Sequence, residues 1–242
     1  MTKLTKNQRI LTPGKSGNVA IQHFTVSEIG SRASLAQSML HGHGTDACVP
    51  AGGYVRLLVD GELMMTDTPY ELNSTKDFVD RAHGHVLITG LGLGLVVLAL
   101  YKNADVESVT VIESNPDVIK LTEPRIRAVL KGNHRFVVVE DDAFTWNPGD
   151  VFRQAERCTG MKMGVLPKMR WNCILHDIWP TINDLDLPGM AKLKRRYANW
   201  LDKTDPQRFQ HVWGQKRARK LRKAIKEAKN ACQRTKSECH VY

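Results

Sequence analysis

The chain has 242 residues and 42% of them are hydrophobic, which is enough to bury a core in one large domain or in a domain with extensions. No apolar run approaches the roughly 20 residues of a membrane span, and residues 1–18 lack the apolar centre of a signal peptide. The five cysteines are scattered and odd in number, so we expect reduced thiols in a cytoplasmic protein rather than a disulfide framework.

The net charge of +10 is concentrated at one end of the sequence. Residues 191–242 contain 16 Lys and Arg against 4 Asp and Glu, a net charge of +12, whereas the rest of the chain has a net charge of −2. The cationic character therefore belongs to a C-terminal segment and not to the remainder of the protein.

The N-terminal region, residues 1–53, is expected to be an arm followed by a loop region. Residues 1–17 are polar and contain a Pro-Gly pair, which favours a loose arm. Residues 18–26 fit either a strand or a short helix, and the apolar spacing of residues 27–40 is compatible with a helix.

Two groups of metal-ligand side chains are incomplete. His41 and His43 lie close together among glycines but have no third ligand nearby, so a plain loop is favoured over a metal site. Cys232, Cys239 and His240 lack the fourth ligand of a zinc site. We therefore predict no metal site.

A β hairpin is predicted for residues 54–66. Asp60-Gly61 separates two apolar runs, and this dipeptide is typical of a two-residue hairpin turn. A short connection up to residue 83 follows, so a small β element precedes the rest of the fold.

The next stretch predicts one βαβ unit. An apolar strand at residues 86–89 ends in Gly90-Leu91-Gly92-Leu93-Gly94, and an apolar segment of helical length follows at residues 95–101. A second β-branched strand at residues 109–112 ends in Glu113. Strand, glycine turn, helix and strand in this order indicate two parallel strands joined by a crossover helix.

This unit is suited to a cofactor that carries a nucleoside. The glycines let the backbone approach a ligand, the helix offers free N–H groups, and Glu113 is placed to accept both hydroxyls of a ribose. Dinucleotide-binding folds usually show G-x-G-x-x-G, but here Leu95 occupies the place of the third glycine. The G-x-G-x-G spacing resembles the first motif of class I S-adenosylmethionine (SAM) dependent transferases; a structural glycine turn in another α/β domain is the alternative.

Two further predicted strands also end in acids. Residues 136–139 are followed by Asp141-Asp142-Ala143, and residues 172–175 are followed by His176-Asp177. In an open α/β sheet the ligand lies beyond the carboxyl ends of the strands, so these acids and Glu113 are expected at one edge. Asp142 could accept a hydrogen bond from an adenine amino group, and a solvated turn that caps the next helix is the alternative.

The later chain is poor in strands. A helix with an apolar stripe is predicted for residues 186–201, a short edge strand for 206–213 and a basic helix for 215–234. The basic helix has a narrow apolar seam, which consists of Ala218, Leu221, Ile225, Ala228 and Cys232.

The basic tail predicts weak, salt-sensitive binding of nucleic acid, since phosphate contacts are additive and independent of sequence. An anionic membrane surface is less favoured, because the seam has no aromatic anchor. A solvated helix face and an acidic protein partner are the alternatives. A homodimer is a further expectation.

Five segments together resemble the spermidine synthase branch of class I SAM-dependent transferases. They are the hairpin, VLITGLGLG, VTVIESNPDVIKL, EDDAF and HDIWP, and they cover roughly residues 54–180. The resemblance implies an α/β, doubly wound, Rossmann-like sheet with an N-terminal β hairpin, and the charge and apolar spacing of the later chain add a basic, helical C-terminal extension. We accordingly divide the chain into residues 1–53, 54–83, a SAM-binding domain at 84–190, and the extension at 191–242.

The resemblance also implies the residues of the site. SAM or decarboxylated SAM would be bound by Gly90, Leu91, Gly92, Gly94, Glu113, Ser114, Asp141, Asp142 and Ala143. Asp177 would act as the catalytic base or would anchor the nucleophile, with His176 as its partner. Trp179 and Tyr70 would contact the substrate; for Trp179, a tryptophan that only packs in the core is the alternative.

Three positions differ from the usual spermidine synthase pattern. Leu93 stands in place of an Asp, Met64 in place of a Gln, and Pro180 in place of a second Asp. In spermidine synthases the two Asp residues handle a cationic polyamine. Their absence here favours methyl transfer over aminopropyl transfer. A non-catalytic SAM or nucleotide binder with a nucleic-acid-binding tail remains the alternative from another class.

Overall fold

The computed structural model describes residues 4–40, 48–130, 136–148, 170–181 and 183–238, with the side chains of residues 216 and 228–238 left aside. The two histidines of the glycine-rich loop, Cys239 and His240 lie outside these ranges. Within them, nine strands form a four-stranded and a five-stranded sheet.

The first sheet is antiparallel, with the order β1-β2-β3-β4. Its strands are Gly14–Ser16, Val19–Val26, Gly52–Val59 and Glu62–Thr66. The predicted hairpin is confirmed as β3 and β4, and its turn has positive φ angles at Asp60 (53°) and Gly61 (82°). Both central residues of a type I′ turn need such angles, which is why this dipeptide suits a tight hairpin.

The prediction of a loose arm at residues 1–17 is wrong for residues 4–17. Helix α1 (Lys6–Ile10) begins with a capping box, in which Thr5 Oγ1 accepts from the Gln8 N–H at 3.2 Å and Gln8 Oε1 accepts from the Thr5 N–H at 3.0 Å. Leu11 is fully buried. A polar composition does not indicate that these residues are ordered, because their structure depends on a local helix cap and on the pairing of β1 with β2.

The second sheet is parallel throughout, with the order β7-β6-β5-β8-β9. Its strands are β5 Gly84–Thr89, β6 Val106–Glu113, β7 Phe136–Glu140, β8 Cys173–His176 and β9 Phe209–Val212. The strand order moves outward from β5 first to one side and then to the other, which is the doubly wound, Rossmann-like arrangement predicted from the sequence. The predicted edge strand is confirmed as β9.

The helices cover both faces of the parallel sheet. The helices after α1 are α2 Glu28–Leu40, α3 Pro69–Ser74, α4 Lys76–Arg81, α5 Leu95–Leu100, α6 Pro116–Leu130, α7 Asp186–Tyr197 and α8 Gln215–Glu238. One core contains Val86 and Ile88 of β5 together with apolar residues of α5 and α6. The other contains Leu87 and residues of α7, because successive strand residues point to opposite faces.

Two of the predicted domain boundaries fall inside elements. The boundary after residue 53 lies in β3, which pairs with β2 along its whole length, and the boundary after residue 190 lies in α7. The four-part division remains a prediction. Among the helices of the described chain, none has both the length and the apolar content of a membrane span.

Candidate functional site

A cavity of about 450 Å³ lies at the carboxyl ends of the parallel strands β5, β6, β7 and β8. Its size falls in the range of small-ligand sites, and its position is where open α/β sheets bind ligands. The lining residues are Leu57, Val59, Met64, Met65, Glu71, Gly90, Gly92, Ile112, Glu113, Ser114, Asn115, Val118, Asp141, Asp142, Ala143, Phe144, Asp177, Ile178, Trp179 and Pro180.

The antiparallel sheet forms one wall of this cavity. Strands β3 and β4 contribute Leu57, Val59, Met64 and Met65 to the lining. The Leu93 N–H lies 3.4 Å from Met65 Sδ, so β4 lies directly against the glycine loop. The hairpin therefore belongs to the site itself, which its position in the sequence did not predict.

Gly90 and Gly92 line the cavity and also lie close to other parts of the protein. Gly90 has a φ of 97°, and a Cβ atom there would lie 2.1 Å from the backbone oxygen of Asp177. A Cβ atom at Gly92 would lie 2.8 Å from Met65 Sδ. At Gly90 a side chain would separate the loop from the backbone of Asp177. At Gly92 the Met65 side chain could move, and glycine is favoured there by the positive φ of 51°.

Gly94 has a different place from the one predicted. It does not line the cavity; it precedes α5 with a φ of 70°, and a Cβ atom there would lie 2.7 Å from Ile126 of α6. The prediction that Gly94 contacts the cofactor is therefore not supported. Its position instead lets α5 begin in close contact with α6.

Glu113 already accepts two backbone hydrogen bonds. Its Oε2 accepts from the Leu91 N–H at 2.8 Å, and its Oε1 accepts from the Asn115 N–H at 2.9 Å. Each carboxylate oxygen retains a further lone pair that could accept from a ribose hydroxyl. Leu91 thus acts through its N–H on Glu113, and its side chain is buried away from the cavity.

The turn after β7 places its polar groups in the cavity wall. Asp142 Oδ1 accepts from the Phe144 N–H at 2.8 Å, and Asp141 Oδ1 accepts from the Asp142 N–H at 2.7 Å. The Ala143 carbonyl accepts from the Tyr197 hydroxyl at 2.9 Å. Both acids therefore shape the turn and line the cavity, and Ser114 lines it as well.

Asp177 and Glu71 are the two carboxyl groups with raised pKa values in this cavity. Burial raises the pKa of Asp177 to about 7, and repulsion from Glu71 adds to the increase. Burial also raises the pKa of Glu71 to about 7. Both groups are partly accessible from the cavity but are surrounded by protein atoms, which disfavours their charged forms.

Glu71 is a cavity residue that the sequence reasoning missed. It lies in the first turn of α3, directly after Tyr70, which had been predicted to contact the substrate. Tyr70 is 39% exposed and does not line the cavity. Neighbouring residues of a helix point about 100° apart, and no signal in the sequence indicated that Glu71 rather than Tyr70 lines the cavity.

His176 is not a cavity residue either. Its side chain is fully buried, its Nδ1 lies 3.2 Å from Thr89 Oγ1, and its ring centroid lies 5.3 Å from that of Tyr197. Burial lowers the pKa of His176 to about 4. The prediction of His176 as a catalytic partner is therefore not supported, since the strand pleat directs it away from the side to which Asp177 points.

Trp179 forms part of the cavity wall and is half-buried. It packs against two apolar clusters, one containing Leu193 and Tyr197, the other containing Leu187 and Trp213. This tryptophan thus both packs in the core and faces the site.

The cavity has a strongly negative lining. Five of its residues are acids, and none of its described lining residues is Lys, Arg or His. Such a lining attracts cations and repels phosphate groups. Among the described residues, no cluster of His, Cys, Asp and Glu has the arrangement of a metal site.

No protein-family model and no curated protein sequence matches the chain. Solved structures with a similar fold include the spermidine synthase of Thermotoga maritima, at 17% identity and a TM-score of 0.40, over 62% of this chain and 46% of that one. Another is a spermidine synthase in complex with the transition-state analogue AdoDATO, at 16% identity and a TM-score of 0.43, over 79% and 54%.

A third is a protein assigned as a caffeoyl-CoA O-methyltransferase from Staphylococcus aureus, at 17% identity and a TM-score of 0.36, over 54% of this chain and 52% of that one. The chain thus spans about half the length of these proteins.

Proposed function

We propose that the protein is a SAM-dependent transferase, with methyl transfer as the first candidate reaction. The observation that carries this proposal is the negative cavity at the carboxyl edge of the parallel sheet. SAM has a positively charged sulfonium, whereas NAD has two phosphates that an acidic lining would repel. Glu71 and Asp177, with pKa values of about 7, contribute only part of a negative charge each at neutral pH. When bound, SAM supplies a sulfonium carbon that a nucleophile can attack.

The residues of the cavity fit the parts of this cofactor. Glu113 offers carboxylate lone pairs to the ribose hydroxyls, as the position of an acid after the second strand favours. The turn containing Asp142 and Ala143 would contact the adenine. Gly90 and Gly92 line the cavity and would lie beside the amino-acid portion.

Asp177 is the proposed proton acceptor for the nucleophile. A pKa of about 7 is close to the optimum for a general base at neutral pH, since both the base and its conjugate acid are populated. Trp179 would close one side of the reaction centre, and its ring face favours a neighbouring cation.

Aminopropyl transfer is the second candidate, and one observation favours it. Pro180 replaces an acid of the usual pattern, but Glu71 brings another carboxyl group into the same cavity from α3. Two carboxyl groups are suited to hold a cationic amine, so the missing acid alone does not decide between the two reactions.

Isothermal calorimetry with SAM, decarboxylated SAM, S-adenosylhomocysteine and NAD tests the cofactor. We expect SAM or its decarboxylated form to bind and NAD to bind far more weakly. Glu113→Ala should weaken binding by about 1–3 kcal/mol, the usual loss for hydrogen bonds to a charged group. Tight binding of NAD without SAM would contradict the proposal, and binding without turnover across acceptors would indicate a non-catalytic binder.

A further inference from the structure

Helix α8 has an apolar side that is already occupied. Ala218 is 4% exposed, and Leu221 and Ile225 pack against the same cluster as Ala218. The other buried members of this cluster are Leu187, Met190, Val212 and Trp213. The predicted seam thus fixes α8 to α7 and to the end of β9.

The opposite side of α8 is cationic. Arg219, Lys220, Lys223 and Lys226 are exposed, whereas the seam residue Ala218 is buried and Leu221 and Ile225 are half-buried. Glu227 is the acid on this side, and its carboxylate lies 3.8 Å from Lys223 Nζ. We call these four cations the cationic face of α8.

Arg222 marks the border between the two sides. Its Nη2 donates to the Leu187 carbonyl at 3.1 Å, so this arginine helps to fix α8 to α7. In contrast, no described hydrogen bond or ion pair holds Arg219, Lys220 or Lys226 to another element of the described chain. Their charges therefore face solvent.

We propose that the cationic face of α8 binds the phosphate backbone of a nucleic acid. A membrane surface does not fit, since a helix that lies on lipid must insert its apolar side, and that side of α8 is packed against the protein. A protein partner fits poorly as well, because Ala224 is the largest apolar residue exposed along residues 217–227 and protein interfaces need large apolar or aromatic anchors. Phosphates need only closely spaced cations.

The apolar side of α8 is connected to the cavity wall through one cluster of side chains. The cluster that holds α8 also packs against Trp179, which lines the cavity. In addition, Trp213 Nε1 donates to Ser74 Oγ at 2.8 Å, and Ser74 belongs to α3, the helix that carries Glu71. Phosphates would be attracted to the cationic face of α8 and repelled by the acids of the cavity.

Fluorescence anisotropy with labelled single-stranded RNA, single-stranded DNA and duplex DNA, at several salt concentrations, tests this proposal. The variant replaces Arg219, Lys220, Lys223 and Lys226 by Gln, which removes the charge but preserves helix propensity. A matched control replaces four exposed cations elsewhere by Gln, namely Arg32, Lys102, Lys120 and Lys203. Both variants change the net charge by the same amount, and circular dichroism checks that each is folded.

We expect the wild type to bind at low salt, with an affinity that falls steeply as salt increases. Loss of four phosphate contacts should reduce the slope of log K against log[salt] by about 3 to 4, whereas the control variant should keep most of the slope. An equal loss in both variants, or no binding by the wild type at low salt, would overturn the proposal. Calorimetry with SAM on the same variants is independent of this result, so the cofactor proposal stands or fails separately.

A vesicle experiment tests the competing partner. Vesicles that contain phosphatidylserine should bind the wild type no better than they bind the variant. A preference for vesicles over nucleic acid, lost in the α8 variant and retained in the control, would assign the face to lipid and overturn the proposal.

Discussion

At the scale of single residues, the position of Asp177 decides its chemistry. The side chain follows a buried strand and faces a cavity that also contains Glu71. Burial and the neighbouring carboxyl group both oppose the loss of its proton, so the pKa rises from 3.8 to about 7. An acid in this range is protonated at pH 5 and mostly charged at pH 8, which suits exchange of protons with an acceptor.

Asp177→Asn should abolish turnover while leaving cofactor affinity nearly unchanged. The loss of a general base typically lowers the rate by a factor of about 10² to 10⁴, and the amide has almost the same shape as the carboxyl group. The measurements are the rate with an identified acceptor and calorimetry with SAM. An unchanged rate in this variant would exclude the catalytic role.

The matched variant is Glu71→Gln, which should act through Asp177. Removal of the neighbouring negative charge should lower the pKa of Asp177, so the rise of the rate with pH should occur at lower pH. Carboxyl carbon NMR of the free protein measures the same shift without an acceptor. An Asp177 pKa that does not move would show that the two groups titrate independently.

At the scale of elements, Gly94 lets helix α5 begin in close contact with helix α6. Its left-handed backbone and its approach to Ile126 leave no space for a Cβ atom. We expect Gly94→Ala to lower the free energy of unfolding by about 1–3 kcal/mol, the usual cost of a non-glycine residue in a left-handed conformation. The contact of the new Cβ atom with Ile126 should increase this loss.

Gly61→Ala is the control for this substitution. Gly61 also has a positive φ, but nothing lies within 4 Å of a Cβ atom placed there. The free energy of unfolding of Gly61→Ala should therefore fall only by the cost of the backbone strain. Denaturant unfolding of both variants measures the difference, and equal losses would mean that packing against Ile126 contributes nothing.

A hydrogen-bonded pair connects the start of β5 to the loop before β9. His83 Nε2 lies 2.8 Å from Asp205 Oδ2, and the same oxygen accepts from Asn172 Nδ2 at 2.8 Å. Hydrogen bonds from Asn172 and then from His83 lower the pKa of Asp205 to about 2. Burial lowers the pKa of His83, but its hydrogen bonds to the Arg81 carbonyl and to Asp205 outweigh burial and raise it.

This pair should stabilise the fold most strongly between about pH 4 and pH 6.5. Below pH 3.8, the ordinary pKa of Asp, the contribution of Asp205 to the stability of the fold falls as the pH approaches about 2. Above pH 6.5, the ordinary pKa of His, the contribution of His83 is lost as pH rises through its raised value. Thermal unfolding of the wild type and of His83→Asn should therefore differ most inside this window. A difference for His83→Asn that stays constant from pH 4 to pH 9 would contradict the role of its protonated form.

At the scale of the whole molecule, the site is built where two sheets meet. The parallel sheet supplies the glycine loop and the acids, and the antiparallel sheet supplies the apolar wall. A ligand in the cavity would contact both sheets, so binding should stabilise the contact between them.

Hydrogen–deuterium exchange with and without SAM tests this arrangement. We expect added protection in strand β4 and in residues 90–94, because a ligand reduces local opening of the elements that contact it. The exposed helix α2 should be unaffected and serves as the internal control. Protection confined to the parallel sheet would mean that the hairpin is not part of the site.

The sequence by itself determined the local units of this protein. The alternation of apolar residues, the Asp-Gly turn and the glycine run between two strands depend on neighbours within a few residues, so the hairpin, the βαβ unit and the seam of α8 were predictable. The acids that follow β6, β7 and β8 were predictable as a group, because parallel strands bring their carboxyl ends to one edge.

Only the tertiary structure decided which side chains meet. Glu71 and Asp177 are separated by about 100 residues, and nothing local indicates that α3 turns Glu71 rather than Tyr70 into the cavity. The same holds for His176, whose strand position directs it into the core, and for Gly94, whose space is filled by Ile126. The physical reason is that a site depends on distances between elements, and those distances are set by the packing of the whole chain.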